Sequence, residues 1–281
     1  MSRSLFGALA YLADRLWLFG LRQASASVFG GFLLAVILLT KLWYPFTAVA
    51  RYDALFAAAV LFQVFLLVAG LETLREALIV LVFHLLATAM EVFKTSDAIG
   101  SWQYPGVAAL KVGNVPLFAG FMYSAVGSYL VRSRRVLDLR FTRYPPTWAT
   151  VLMAALVYAN FFTHHYLWDI RWPLLGFITL LYGRSWVHFR LGHQNRRMPT
   201  LVGMLLVSVF IWIAENVATY ARIWVYPDQA NGWQPVGVSK LLAWFLLIMM
   251  SFVLTTLTHP VSRCDPAGRP LTRPRPVPSP A

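Results

Sequence analysis

The feature that most restricts this chain is a succession of apolar runs, each long enough or nearly long enough to cross a lipid film, along almost its whole length. They lie near residues 28–43, 54–70, 77–93, 115–131, 147–163, 168–182, 201–220 and 241–257. A helix crossing a hydrocarbon layer about 30 Å thick needs about 20 apolar residues, whereas a core buried in water needs no such repetition. Composition agrees: 59% of the 281 residues are hydrophobic and 12% charged, against about 45–50% and about 25% in soluble domains. The expected fold class is an all-α polytopic membrane protein of about eight transmembrane helices.

The formal net charge of +13 raises the question of nucleic acid. Most of the basic residues, however, fall in short loops between apolar runs. If the N-terminus faces the cytoplasm, alternation puts seventeen Lys and Arg on that side and seven on the other (Lys41, Arg51, Lys94, Lys111, Arg171, Arg222 and Lys240). An excess of cations on the inner side is what insertion into a cell membrane selects. The expectation is a multi-pass protein of the bacterial cytoplasmic (inner) membrane, both termini cytoplasmic, with membrane lipids and not nucleic acid as partners.

The flanking segments read differently. Asp14 and Arg15 interrupt the first apolar stretch, so Ala24-Ser25-Ala26 is not a convincing secretory cleavage site. Residues 1–26 are expected to form an interfacial helix, over about 4–21, with Trp17 and Phe19 dipping into the film. Residues 260–281 combine seven prolines with four arginines and are expected to be a disordered cytoplasmic tail. Cys264 is the only cysteine, which excludes an intrachain disulfide or thiolate cluster.

Residues 91–121 can be laid on residues 215–245. Glu91 then meets Glu215, Thr95 meets Thr219 and Val112-Gly113 meets Val236-Gly237, while Trp102-Gln103-Tyr104-Pro105 meets Trp224-Val225-Tyr226-Pro227 after a two-residue shift. This predicts a first four-helix repeat over 27–132, a basic cytoplasmic loop over 133–146 and a second four-helix repeat over 147–259. An even number of spans per repeat makes the two halves parallel.

Polar residues at membrane depth gather toward one side: Glu91, Lys94, Asp97, Asn114, Asn160, His164, His165, Asp169, Glu215, Asn216 and Arg222. Charges within a span cost roughly 2.5–3.5 kcal/mol each on insertion scales, so such a gathering marks a candidate site. Glu91 and Glu215, facing each other across the repeat axis, suit an acid and base pair. The structural alternative pairs Glu91 with Lys94 and Glu215 with Arg222. If helix continues past residue 163, His165 and Asp169 share a face and suit a divalent metal or proton transfer, with His164 beside them. Asn114, Asn160 and Asn216, with the aromatic walls Trp102, Tyr104, Trp224 and Tyr226, suit substrate binding. Membrane anchoring alone also explains those aromatics, and the binding role is the functional alternative. His84 lies nearly two turns before Glu91 and reads either as a site neighbour or as a packing residue.

Three strings carry a resemblance: the residues from Lys111 to Tyr123, those from Thr163 to Trp172, and Ala214-Glu215-Asn216. Over about residues 30–260 the chain resembles the YoaT-type family of bacterial integral membrane proteins. The resemblance implies a multi-pass fold and brings no activity with it. A fainter likeness to carotenoid-modifying membrane enzymes rests only on Glu91 with Trp102 and Glu215 with Trp224. Three functions stay open: an enzyme acting on a lipophilic lipid or polyene substrate, with Glu91, Glu215, His164, His165 and Asp169 catalytic; a proton- or cation-coupled transporter; or a non-catalytic assembly subunit.

Overall fold

The computed structural model describes residues 2–192 and 194–271, with side chains from residue 13 onward. Each of the eight apolar runs forms a helix. A helix α1 (Ser2–Ala26) precedes them, followed by α2 (Val28–Leu42), α3 (Arg51–Val68), α4 (Leu74–Lys94), α5 (Phe118–Val136), α6 (Thr147–Thr163), α7 (Arg171–Tyr182), α8 (Thr200–Tyr220) and α9 (Lys240–Thr258).

Helix length separates these elements. Four of the described helices, α3, α4, α8 and α9, are long and apolar enough to cross a membrane, and a fifth span arises if α1 and α2, which meet at 77°, count as one. The other helices are limited by size or by charge. At about 1.5 Å per residue, α2, α6 and α7 reach only about 22, 25 and 18 Å, and α5 carries Arg132, Arg134 and Arg135 in its last turns. Helix α1 runs five residues beyond the expected end of the interfacial helix.

Local sequence explains the tight reversal between α3 and α4. Gly70 takes φ +66°, and the Leu71 N–H reaches back to the Leu66 carbonyl at 2.9 Å, closing α3 with a left-handed cap. Thr73 and Glu76 then form a capping box, with the Thr73 N–H on Glu76 Oε2 at 2.7 Å and the Glu76 N–H on Thr73 Oγ1 at 3.3 Å.

Helix α5 is the hub, packing on α1, α2, α3, α4 and α9. Its small residues make this possible. A Cβ on Gly120 would lie 2.5 Å from His84 Nδ1, and one on Gly127 would lie 2.9 Å from the Phe83 ring. Ser124 Oγ donates to the Val80 carbonyl at 2.8 Å, so α4 and α5 approach closely over several turns. Between the two groups of helices, α2 packs on α8 as α6 packs on α4, α5 meets α9, and α4 also touches α9.

At the arginine-rich end, buried Arg132 donates to the Leu71 carbonyl at 2.7 Å and the Ser25 carbonyl at 2.9 Å and lies 3.7 Å from Glu72. Gln63 and Ser128 donate to the Glu72 oxygens at 2.6 Å each. This network joins the bend after α1, the α3–α4 reversal and α5.

Two regions depart from the expectation of loops. After a two-stranded ribbon of β1 (Lys111–Val112) and β2 (Val115–Pro116), a three-stranded antiparallel sheet joins β3 (Arg140–Thr142), β4 (Trp186–Leu191) and β5 (Gln194–Pro199) in the order β3-β4-β5, and α5 reaches Val136, so 133–146 is not simply a loop. In β4, Val187, Phe189 and Leu191 alternate with Trp186, His188 and Arg190, a strand period of two, with Trp186 and Arg190 exposed and His188 buried on the Thr142 hydroxyl at 2.7 Å. The first part of the tail is also ordered. The Phe141 N–H donates to the Ser262 carbonyl at 2.8 Å and the Cys264 N–H to the Phe141 carbonyl at 3.0 Å, which buries Cys264. The backbone of β3 offers free edge groups, and that pairing outweighs the proline content of the tail. The rest of the expected disordered tail, 272–281, lies outside the described residues.

Candidate functional site

At the end of the bundle opposite the arginine-rich loops, the two Trp-x-Tyr-Pro segments pair with each other. The Gln103 N–H donates to the Val225 carbonyl at 3.0 Å and the Val225 N–H to the Gln103 carbonyl at 2.9 Å. The middle residues of the two motifs thus form an antiparallel bridge, and Trp102 and Tyr104 of the first motif bond the acid of α4 while Tyr226 of the second bonds the acid of α8.

Glu91, near the end of α4, is buried and fully engaged. Trp102 Nε1 and the Tyr104 hydroxyl donate to its Oε2 at 2.8 and 2.7 Å, and the Tyr123 hydroxyl donates to Oε1 at 2.7 Å. Glu215, near the end of α8, is also buried. The Tyr226 hydroxyl donates to its Oε1 at 2.6 Å and Trp244 Nε1 to its Oε2 at 2.7 Å. The ion pairs Glu91–Lys94 and Glu215–Arg222 are not formed, because the aromatic donors occupy the carboxylates. Burial, and then the adjacent carboxylates, push the Tyr104 and Tyr226 phenols well above their ordinary value, so both remain protonated donors.

The two sets of donors touch each other crosswise. Trp102, bonded to Glu91, meets the Tyr226 ring edge-on at 6.1 Å, and Tyr123, also bonded to Glu91, lies 6.4 Å from Trp244. Lys240 Nζ sits 4.1 Å over the Tyr226 ring, a cation on the face of a donor to Glu215.

Both acids line one cavity of about 660 Å³ between α2, α5 and α8. Trp102, Tyr104, Trp224, Tyr226, Tyr123 and Trp244 surround its polar end, while Leu33, Ile37, Val126, Val207 and Phe210 line the apolar remainder. It runs back to Phe19 of α1 and to Val187 and Phe189 of β4. Such a chamber accepts an apolar molecule with a few polar atoms at one end.

The other expected site residues go elsewhere. Helix α6 ends at Thr163, so His165 and Asp169 do not share a helical face. Asp169 instead pairs with Arg171 at 2.5 Å and accepts from Asn160 Nδ2 at 3.3 Å. His164 bonds the Asn160 carbonyl through Nδ1 at 2.7 Å, leaving Nε2 to accept from Lys94 at 3.3 Å. His165 Nε2 lies 2.8 Å from Lys94 Nζ. An ammonium at that position does not fit a metal ligated by His165. The described residues bring no group of three or more His, Cys, Asp or Glu together for a cation.

The three asparagines hold backbone and do not line the cavity. Asn114 bonds the Thr95 carbonyl at 3.2 Å, Asn160 accepts from the Ile170 N–H at 3.1 Å, and Asn216 accepts from the Val236 N–H at 2.8 Å. His84 packs on Phe121 with ring centroids 4.6 Å apart, outside the cavity. Sequence reasoning missed Tyr123 and Trp244. Their signal was an aromatic with a polar tip inside an apolar helix, which needs a partner when buried.

The fold and site define a mostly helical protein with several membrane-length helices and two buried, aromatic-bound glutamates on one apolar chamber. The chain belongs to the family described as "Protein of unknown function (DUF817)", matched over residues 15–252. It is 38% identical over 248 residues, 88% of this chain and 93% of the relative, to the "Uncharacterized protein YoaT" of Bacillus subtilis (strain 168). No solved structure matches it.

Proposed function

We propose that this is a multi-pass protein of the bacterial inner membrane that holds a lipophilic molecule in the chamber and exchanges protons with its polar end through Glu91 and Glu215. The observation that carries the reading is the opening of both buried carboxylates, one from α4 and one from α8, onto a single apolar cavity. A structural ion pair needs no cavity beside it, and an apolar chamber needs no carboxylates unless a ligand meets them.

The same reading takes 27–132 and 147–259 as parallel four-helix repeats, with both termini cytoplasmic. Three features support it: the Gln103–Val225 bridge between equivalent motif positions, the reciprocal packing of α2 on α8 and α6 on α4, and the crosswise contacts of the acids' donors. The short helices α2, α6 and α7 are then spans buried among longer neighbours or in thinned bilayer. Helix α1, at 77° to α2, lies along the inner surface.

The test is lipid analysis of the detergent-purified protein by mass spectrometry, wild type beside Glu91→Gln with Glu215→Gln. A lipophilic compound that copurifies with wild type, and is lost or chemically altered in the folded variant, is the expected result. The same bound lipids at the same occupancy in both proteins overturn the proposal.

A further inference from the structure

A second cavity, of about 330 Å³, lies at the outer end of the cleft between α2 and α8, and Lys41, Arg51, Tyr52 and Arg222 line it. No acidic residue borders it, and none of the ion pairs among the described residues uses these cations. Arg51 gives three of the five N–H donors of a guanidinium to the Thr40 hydroxyl at 3.1 Å and to the Ala221 and Ile37 carbonyls at 2.9 Å each. No carboxylate pairs with it, and it ties the C-terminal ends of α2 and α8 together. Lys41 and Arg222 are exposed to the cavity's mouth. Three cations around a hollow without a counter-charge favour an anion.

This pocket continues the large chamber. Leu33 and Ile37 of α2 line the chamber and Lys41, one turn on, lines the pocket; Ala214 and Ala218 of α8 line the chamber, and Ala221 and Arg222 line the pocket. Residues four apart on a helix share a face, which puts Leu33, Ile37 and Lys41 in one line along α2. Tyr52, its hydroxyl on the Ile223 carbonyl at 2.7 Å, forms the partition: its ring meets Tyr104, a donor to Glu91, at 6.0 Å. Below the partition the chamber extends along α8 from Gly203 to Ala218, about 22 Å. One cleft thus presents cations at the outer surface, carboxylates and aromatics just beneath, and a long apolar trough below.

We propose that the ligand of this cleft is a lipid with a phosphate-type anionic headgroup, the headgroup held by Lys41, Arg51 and Arg222 and the chain lying between α2, α5 and α8. This inference rests on the reading of the chamber as a lipophilic site and adds the chemical class of its occupant. A neutral polyene would leave the cations unused, and a free phosphate would leave the trough unused.

The full chain in maltoside micelles is photolabelled with hexadecyl phosphate carrying a diazirine at the chain end, and separately with the matched hexadecanol, with labelled peptides mapped by mass spectrometry. Lys41→Ala combined with Arg222→Ala is compared with wild type. The expected result is labelling of α2, α5 and α8 by the alkyl phosphate, reduced about tenfold in the variant, with labelling by the alcohol unchanged. Unchanged alcohol labelling also shows that the variant is folded. Equal labelling of wild type and variant by the alkyl phosphate overturns the headgroup inference and leaves the chamber reading intact. Displacement of the alkyl phosphate by an equal concentration of inorganic phosphate overturns it in favour of a free anion. Failure of both probes to label the chamber overturns both readings.

Discussion

Replacing Glu91 separates the contribution of its shape from that of its charge. In Glu91→Ala the indole N–H of Trp102 and the hydroxyls of Tyr104 and Tyr123 lose their acceptor at the edge of an apolar cavity. A stranded buried donor costs about 1–3 kcal/mol. Three donors, two of them hydroxyls able to turn toward substitutes, therefore cost roughly 3–6 kcal/mol in all. Glu91→Gln behaves differently because the amide can reproduce the pattern. Its oxygen takes the place of Oε2 and accepts from Trp102 and Tyr104, and its NH₂ faces the Tyr123 hydroxyl, which turns to accept. What is lost is the charge assistance, about 1–2 kcal/mol, partly offset by the smaller cost of burying a neutral group. The assay is the midpoint of thermal aggregation in detergent, read by size exclusion. The order expected is wild type, then Gln close below it, then Ala far below. An alanine variant as heat-resistant as the glutamine variant would show that the donors are not buried around Glu91, and the site as described would fall.

Arg132→Ala leaves the Glu72 carboxylate, 0% exposed in its side chain, without its cation and is expected to cost about 3–5 kcal/mol; adding Glu72→Gln should recover part of this in the same melting assay, and no recovery would refute the pairing. Gly120→Val places atoms where His84 Nδ1 and Thr88 Oγ1 lie, 2.5 and 2.7 Å from a Cβ, and should destabilise the α4–α5 contact by about 1–3 kcal/mol; a neutral effect on melting would mean that the helices are farther apart. Burial, and then Lys94, hold the His165 imidazole at about 4 in place of 6.5. A folded value below the unfolded one means that its contribution is complete above pH 6.5 and fades as pH falls toward 4. Melting should drop over that interval and drop less in His165→Gln; identical pH profiles would contradict the Lys94 contact.

The helices were legible because apolar length survives any tertiary arrangement: all eight runs fold as helices, and α6 keeps its expected bounds, 147–163. Span number was not legible in the same way. Whether α7, with 12 residues, crosses a film depends on what surrounds it, and a window of hydropathy does not encode its neighbours. The sheet was missed because β4 and β5 lie in a segment rich in exposed arginines, Arg190, Arg196 and Arg197, which drew the reading toward a solvated loop. At the site, Glu91 and Glu215 were visible as costly charges in apolar runs, and the Trp-x-Tyr-Pro pairs as repeated strings. Their donors Tyr123 and Trp244 were not, since each lies on a different helix, 32 and 29 residues away from its acid. The His165–Asp169 reading failed on one local fact. Asn160 captures the Ile170 N–H, and the chain turns after Thr163 instead of continuing as helix.

The two acids share an environment but not a workload. A carboxylate offers about four acceptor positions; Glu91 has three of them filled by protein donors, whereas Glu215 has two. Glu215 therefore retains more capacity for a hydroxyl or other donor arriving in the chamber, and Glu91 is the better anchor for the loop that carries Trp102 and Tyr104. The anchor matters to Glu215 because Trp102 supports the Tyr226 ring and Tyr123 adjoins Trp244, so each side chain that binds Glu215 rests on one that binds Glu91. A ligand drawing Tyr226 away from Glu215 must also work against Lys240, which lies over the same ring. Such a cross-braced pair holds its donors still before any ligand arrives, and groups already oriented lose little freedom when one binds. That economy is what a site built from two separate helices and two paired loops obtains that a single acid on a flexible loop does not.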